Sequence, residues 1–214
     1  MKHNLRYRFI TIPNKLMADI RISVDDKQTE FNSVYDGGKS SALMLFPFIA
    51  LQILKFNEVD ENGRRSRQQW NPNDTLTMTR YNYPILIREL TAIMNDMKIP
   101  EMYSYTGSRL DVNVEAAEKA RRVFMISNAT LELVPIVIEQ QDESRVEGIK
   151  MKFNNEQSVV ALTLNELDSL LYQMNHTDIE NLAINLYNRF ASDGSVSDID
   201  MNKQPIVDIQ PKGL

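Results

Sequence analysis

A β-strand followed by an amphipathic helix is predicted twice in this chain, and this recurrence constrains the fold more than any other feature. In the second copy, Thr163 followed by Glu166 has the pattern of a capping box, which predicts that a helix starts there. When Thr79 is aligned with Thr163, an offset of 163 − 79 = 84, apolar positions in residues 76–90 coincide with those in residues 160–174. We therefore predict two sheets that are each followed by their own helix.

Three amphipathic helices are predicted, because apolar residues recur in them at spacings of three and four. The first carries Pro84 in its opening turn, where proline is well tolerated. The second starts at Thr163, and a further capping box, Thr177 with Glu180, predicts the start of the third. Strands are predicted at residues 5–12, 18–24, up to about 46, from about 48, at 76–79 before the first helix, and at 123–126, 131–138, 148–153 and 159–163.

At 214 residues, of which 43% are hydrophobic, the chain is long enough for one domain with a substantial core. The predicted fold class is α+β, with two antiparallel β-sheets, a helix after each, and a pseudo-two-fold relation between the halves. This single domain covers residues 1–190, with halves at about 1–99 and 123–190 and a linker at 100–122. The linker ends in a stretch of helical composition, and residues 191–214 are expected to form a flexible tail.

The sequence offers little for enzymatic chemistry. It has no cysteine and only two histidines, His3 and His176, which lie in a terminal segment and between two predicted helices. Residues 37–40 lack the upstream glycine of a phosphate-binding P-loop. No acidic residues are spaced like a set of metal ligands. We therefore expect a protein that is not an enzyme and has no cofactor or metal.

The sequence also bears on location. No segment reaches the roughly 18 consecutive apolar residues that a transmembrane helix requires, and the N-terminus lacks the apolar core of a signal peptide. The absence of cysteine fits a reducing compartment. We expect a soluble cytoplasmic protein without a membrane partner.

Charge is distributed unevenly along the chain. The formal net charge of −5 by itself argues against nucleic acid as a ligand. Residues 2–21, however, carry five cations and one anion (5 − 1 = +4), and residues 132–147 carry one cation and five anions (1 − 5 = −4). Because screening confines such fields to about 8–10 Å, a partner responds to the local patch. A scatter of solvated charges without a partner is the alternative interpretation.

Cationic and aromatic residues alternate in three segments, at residues 6–9, 64–70 and 80–83. Proteins bind single-stranded nucleic acid with cations along the phosphates and flat side chains on which bases stack. The only tryptophan, Trp70, follows three arginines in a polar loop, although such a residue could instead fill a gap between sheets or subunits. The candidate nucleic-acid-binding residues are Arg6, Arg8, Lys15, Arg21, Arg64, Arg65, Arg67, Trp70, Arg80 and Tyr81.

The order of these elements resembles the Whirly family and the broader coactivator-like superfamily of single-stranded DNA-binding proteins. Residues 38–45, Gly-Lys-Ser-Ser-Ala-Leu-Met-Leu, resemble that family's Lys-Gly-Lys-Ala-Ala-Leu motif, and residues 159–167 resemble the superfamily's last strand and final helix. The resemblance implies two roughly perpendicular four-stranded antiparallel sheets, and tetramers that hold single strands along sheet edges between protomers. It also implies that Lys39 contacts phosphate and that Trp70 and Tyr81 lie near bases.

We therefore predict a homo-oligomeric single-stranded DNA-binding protein with little sequence preference that acts in replication or recombination. A phage or bacterial protein fits best, because a transit-like leader is not seen, and a viral member would act in the host cytoplasm. Two alternatives stay open. The protein could be a structural or assembly subunit, such as a virion or scaffold component. Its ligand could also be RNA, because recognition of the 2′-hydroxyl leaves no sequence motif.

Overall fold

The computed structural model of the protein describes residues 2–25, 48–54, 74–127, 129–154 and 158–193. In chain order, its elements are β1 (Lys2–Ile12), β2 (Leu16–Asp25), β3 (Phe48–Ile53), β4 (Thr75–Thr79), α1 (Tyr83–Met97), β5 (Tyr103–Thr106), β6 (Arg109–Val112), α2 (Val114–Ala120), β7 (Arg122–Ile126), β8 (Ala129–Glu139), β9 (Arg145–Phe153), β10 (Ser158–Thr163), α3 (Leu164–Asn175) and α4 (Ile179–Asp193). The strand predicted to end near residue 46 lies outside the described residues, as does the predicted tail beyond Asp193.

Two four-stranded antiparallel sheets form the body of the protein, and the strands of each follow one another in the chain. The first sheet has the order β1-β2-β3-β4 and precedes α1, while the second comprises β7 to β10 and precedes α3. The predicted class, α+β with antiparallel sheets, is therefore confirmed. A further two-stranded sheet consists of β5 and β6.

Successive residues of a strand point to opposite faces of a sheet, and one face of the first sheet enters the core, although residues 16–20 and 49–53 are buried on both faces. Leu5 lies opposite Ile22, and Ile20 lies opposite Ile49. Because opposed residues point to the same face, these four side chains share the inner face, and none is more than 3% exposed. The residues between them, beginning with Arg6, therefore project from the outer face.

One hydrophobic cluster joins the inner faces of both four-stranded sheets to α1, α3 and α4. From α1, Leu86, Leu90 and Ile93 are fully buried, and α3 contributes Leu167 and Leu170. Burial of a leucine of this kind stabilises a fold by about 1.5–3 kcal/mol. None of the helices in the described part of the chain is long and apolar enough to cross a membrane.

The two junctions that define the 84-residue recurrence differ in detail. After β10, Thr163 and Glu166 form the predicted capping box: Glu166 Oε2 accepts from the Thr163 N–H at 2.8 Å, and Thr163 Oγ1 accepts from the Glu166 N–H at 3.3 Å. After β4, a turn follows Thr79, so α1 begins only at Tyr83, with Asn82 before it. The recurrence holds for the strands, but the first junction is longer than the second.

The capping box predicted for α4 is wrong. Asp178, rather than Thr177, accepts from the N–H of Asn181 at 3.0 Å. The Thr177 hydroxyl donates to the carbonyl of Gln173 at 2.6 Å and so completes the end of α3. Thr177 cannot serve both ends, because a hydroxyl that folds back onto the preceding helix points away from the next one. Glu180 instead contacts the turn that follows β4.

Residues 100–122, predicted as a linker, contain the hairpin of β5 and β6 as well as α2. The helix agrees with the helical composition noted in the sequence, whereas the hairpin was not predicted. Together these elements have a small hydrophobic cluster of their own. The Tyr103 hydroxyl connects them to the second sheet, because it lies 3.4 Å from the carbonyl of Ile136 and 3.3 Å from that of Gly148.

A buried polar contact joins the two four-stranded sheets. The Ser158 hydroxyl, at the start of β10, donates to the carboxylate of Asp74, which immediately precedes β4. Asp74 is 4% exposed and Ser158 is 1% exposed, so the hydrogen bond satisfies groups that are costly to bury unpaired. The two residues are 158 − 74 = 84 positions apart, which is the offset of the sequence recurrence.

Candidate nucleic-acid interface

Three of the predicted arginines meet on the outer face of the first sheet. Arg6 lies opposite Arg21 in the register of β1 and β2, and Arg8 lies opposite Asp19. Arg6 Nη2 is 2.5 Å from Asp19 Oδ2. Arg8 Nε is 3.5 Å from Asp19 Oδ1, and Arg21 Nη2 is 3.6 Å from Oδ2. We call these four residues the arginine cluster.

The arginine cluster has an excess of positive charge, because three guanidinium groups face one carboxylate (3 − 1 = +2). The Asp19 side chain is 2% exposed, whereas the Arg6 and Arg21 side chains are each 32% exposed. Burial, and next the charge of Arg6, lower the pKa of Arg21. Among the described residues, the buried Arg21 Nε has no hydrogen-bond partner. A bound anion would supply an acceptor and balance the charge.

The register extends the arginine cluster into a row that crosses all four strands of the sheet. Arg21 lies opposite Phe48 of β3, and Phe48 lies opposite Thr79 of β4. We call Arg6, Arg21, Phe48 and Thr79 the cross-strand row. Opposed Cα atoms in such a pairing are about 4.5–5.5 Å apart, and the Phe48 side chain is 48% exposed. The row therefore places an accessible aromatic residue opposite Arg21, and Arg6 lies on the other side of Arg21.

Phe48 was not among the residues predicted from the sequence. An aromatic residue at the start of an apolar strand is usually a core residue, and nothing local distinguishes this one. The signal that identifies Phe48 is its pairing with Arg21, which places it on the outer face while its neighbour Ile49 is 1% exposed.

Arg80 and Tyr81 directly follow the β4 end of the cross-strand row. The Arg80 guanidinium lies 4.9 Å from the centre of the Tyr81 ring, and Arg80 Nη2 donates to the Tyr81 hydroxyl at 3.0 Å. Arg80 Nη1 donates to Glu180 of α4 at 2.7 Å. The hydrogen bond to Tyr81, with a smaller contribution from Glu180, raises the pKa of Arg80. Tyr81 is 68% exposed, so its ring is accessible as well.

Lys15 does not join this group. It lies in the turn between β1 and β2, and Ile12 at the near end of β1 is about 20 Å along the strand from Arg6 at ~3.4 Å per residue. Its Nζ donates to Glu166 Oε2 at 2.7 Å, which ties the turn to the capping box of α3. This ion pair gives Lys15 a structural contact, and its role in nucleic-acid binding stays a prediction.

The other five predicted site residues lie outside the described part of the chain. Lys39 belongs to the segment that joins β2 to β3, and the β3 end of that connection is Phe48. The segment that joins β3 to β4 contains Arg64, Arg65, Arg67 and Trp70. It leaves β3 at Leu54, whose N–H donates to the carbonyl of Lys15 at 2.8 Å. The two connections therefore leave β3 at opposite ends.

The acidic stretch at residues 132–147 is partly neutralised. Glu132 contacts Arg121 Nε at 2.8 Å and Lys152 Nζ at 3.4 Å. Asp142 lies in the turn between β8 and β9, where the hydroxyl and then the N–H of Ser144 donate to it and lower its pKa. The exposed anions of this stretch lie on the second sheet, apart from the arginine cluster on the first.

The described residues contain no group of three or more acidic or histidine side chains that could hold a metal ion. In comparisons with known proteins, the chain matches no family model, no curated protein and no solved structure. The resemblance to the Whirly family therefore stays a prediction.

Proposed function

We propose that the protein binds single-stranded DNA with little sequence preference, through the cross-strand row on the first sheet. The observation that carries this proposal is the position of the exposed Phe48 ring directly beside Arg21, with Arg6 as the next residue in the row. Phosphates fit the excess charge of the arginine cluster, and a base fits the ring. Stacking and charge contacts of this kind tolerate any base, so little sequence preference follows.

The proposal includes a Whirly-like body with a pseudo-two-fold relation between its halves. The repeated order of four strands and one helix supports it, and so does the Asp74–Ser158 contact, which joins residues that correspond in the recurrence. It also includes a homo-oligomer, tetrameric as the resemblance implies, that protects or presents single strands in replication or recombination. A cytoplasmic site of action, in the host if the protein is viral, completes the proposal.

A fluorescent oligothymidylate titrated at two salt concentrations tests the proposed function. Each neutralised phosphate of a single strand contributes about −0.7 to the slope of log affinity against log salt, so affinity should fall clearly as salt is raised. Arg21→Gln should bind more weakly with a shallower slope. Arg88→Gln is the matched control, because Arg88 lies on α1 away from the row and is 71% exposed. Absence of binding at low salt would refute the proposal.

A structural or assembly subunit is the second candidate function, and the edge strand β7 favours it. Val123 is 56% exposed and Met125 is 66% exposed, and alternate residues of a strand share one face. Such a pair suits contact between subunits. The triple change of Arg64, Arg65 and Arg67 to Ala separates the two candidates. Lost DNA binding with an unchanged oligomer favours the first, whereas a changed oligomer alone favours the second.

RNA stays the alternative ligand for the same row, because phosphates and stacked bases are common to both nucleic acids. Oligouridylate and oligothymidylate of equal length, compared by competition, separate the two. Tighter binding of the RNA by more than about tenfold, or ~1.4 kcal/mol, would assign the row to RNA.

A further inference from the structure

Glu180 links the candidate interface to a helix of the protein core. It is the second residue of α4, and the neighbouring core residues Ile179 and Ala183 are 7% and 2% exposed. α4 packs on β1 and β2, so the backbone that carries Glu180 is held by the fold. The Glu180 carboxylate accepts from Arg80 Nη1 at 2.7 Å, although the Glu180 side chain itself is 65% exposed.

Arg80 passes this restraint on to Tyr81. Its guanidinium lies over the Tyr81 ring at 4.9 Å and its Nη2 bonds the hydroxyl of the same ring. One face of the ring is thereby occupied by a cation, which fixes the orientation of the ring. The ring as a whole is still 68% exposed, so it can accept a second flat partner.

Tyr81 is the neighbour that can extend the site beyond Phe48. Along β3, the residues on the same face as Phe48 are Ala50 and Gln52, which are 1% and 4% exposed. Across the sheet, Phe48 is opposite Thr79, and Tyr81 follows Thr79 by two residues. Among the described residues of this face, a DNA single strand that stacks on Phe48 therefore reaches its next accessible ring by crossing β4, not by running along β3.

We propose that Glu180 is a positioning residue for a second stacking platform, Tyr81, so that Phe48 and Tyr81 hold two bases of one single strand. The proposal rests on the proposed function. Glu180 does not touch the ligand; it acts through Arg80.

The sign of the effect separates this role from simple electrostatics. Glu180 is an anion near a bound polyanion, so its charge alone opposes binding, and its neutralisation would strengthen the complex. If Glu180 instead orients Tyr81, neutralisation weakens binding. Loss of the Tyr81 ring should weaken binding about 5- to 150-fold, the range of one stacked base. The contribution of an exposed ion pair limits the effect of Glu180→Gln to about two- to fivefold.

A double-mutant cycle with the full chain tests the proposal. Oligothymidylate affinity is measured for the wild type, Glu180→Gln, Tyr81→Ala and the double variant, with thermal unfolding of each as a check on folding. Glu180→Gln should bind two- to fivefold more weakly than the wild type, and this loss should vanish in the Tyr81→Ala background. Glu115→Gln is the matched control, because Glu115 also forms an exposed 2.7 Å ion pair, with Lys119 on α2.

Three results would overturn the inference. Tighter binding by Glu180→Gln would assign Glu180 a purely electrostatic effect. Equal binding by Glu180→Gln and Glu115→Gln would show that the contact of Glu180 with Arg80 contributes nothing to binding. A loss that persists in the Tyr81→Ala background would show that Glu180 does not act through the ring. Failure of the wild type to bind oligothymidylate would instead refute the proposed function itself.

Discussion

Asp19→Asn should destabilise the protein and yet strengthen its binding to single-stranded DNA. The substitution preserves the shape of a side chain that is 2% exposed but removes the carboxylate that three arginines share. Charge-assisted hydrogen bonds are lost, so we expect a decrease of about 1–3 kcal/mol in the free energy of unfolding. The local charge rises from +2 to +3, because the guanidinium that Asp19 had neutralised becomes available to phosphate.

The assay is fluorescence anisotropy of an oligothymidylate over a salt series of about 50–200 mM, at a temperature well below the unfolding transition. One additional phosphate contact makes the slope of log affinity against log salt steeper by about 0.7. The affinity of Asp19→Asn for the oligothymidylate at the lowest salt concentration should also exceed that of the wild type. Loss of stability with an unchanged slope would show that the arginine cluster is only structural, and would refute the reasoning.

Three further predictions concern the fold. Glu166→Ala removes both the capping box and the Lys15 ion pair, and should lower the free energy of unfolding by about 1–2 kcal/mol without changing oligonucleotide affinity; chemical denaturation and the titration check the two parts. Burial raises the pKa of Tyr83 above its ordinary value of about 10, so the unfolded chain loses this proton first and stability should fall as pH rises above 10; Tyr83→Phe should flatten that dependence in thermal unfolding. Gly148→Ala should lower the free energy of unfolding by about 1–3 kcal/mol, because a Cβ there would lie 2.6 Å from the carbonyl oxygen of Leu162. A variant as stable as the wild type would contradict the close approach of β9 and β10 at this residue.

The strands of the two four-stranded sheets and the start of α3 were predictable because their signals are local. Alternating residues define which face of a strand is buried, and the Thr163–Glu166 capping box needs only four consecutive residues. The start of α1 was less accessible, because Thr79 also looks like a cap. In the structure, the Thr79 hydroxyl bonds the side chain of Asn82 at 2.9 Å within a turn, and the helix begins beyond it.

The candidate site was predictable in residue type, but only part of its arrangement was predictable. The segment around Arg6 and Arg8 is visibly cationic, and pairing of the first two strands brings Arg21 to the same face. The position of Phe48 depends on the pairing of β3 with β2 across a long connection, which no local pattern encodes. The ion pair of Lys15 was not predictable, because its partner Glu166 lies 151 positions away in the chain and only the tertiary fold brings the two residues together.

The most direct test of the cross-strand row is the oligothymidylate affinity of Phe48→Leu, which keeps an apolar side chain at this position but removes the ring. We predict a loss of about 1–3 kcal/mol in binding free energy, the value of one stacked base, with the unfolding midpoint unchanged. Tyr105→Leu, which removes a ring that is 70% exposed on the β5–β6 hairpin, should bind like the wild type. Wild-type affinity for Phe48→Leu would contradict the assignment of the row as a nucleic-acid interface.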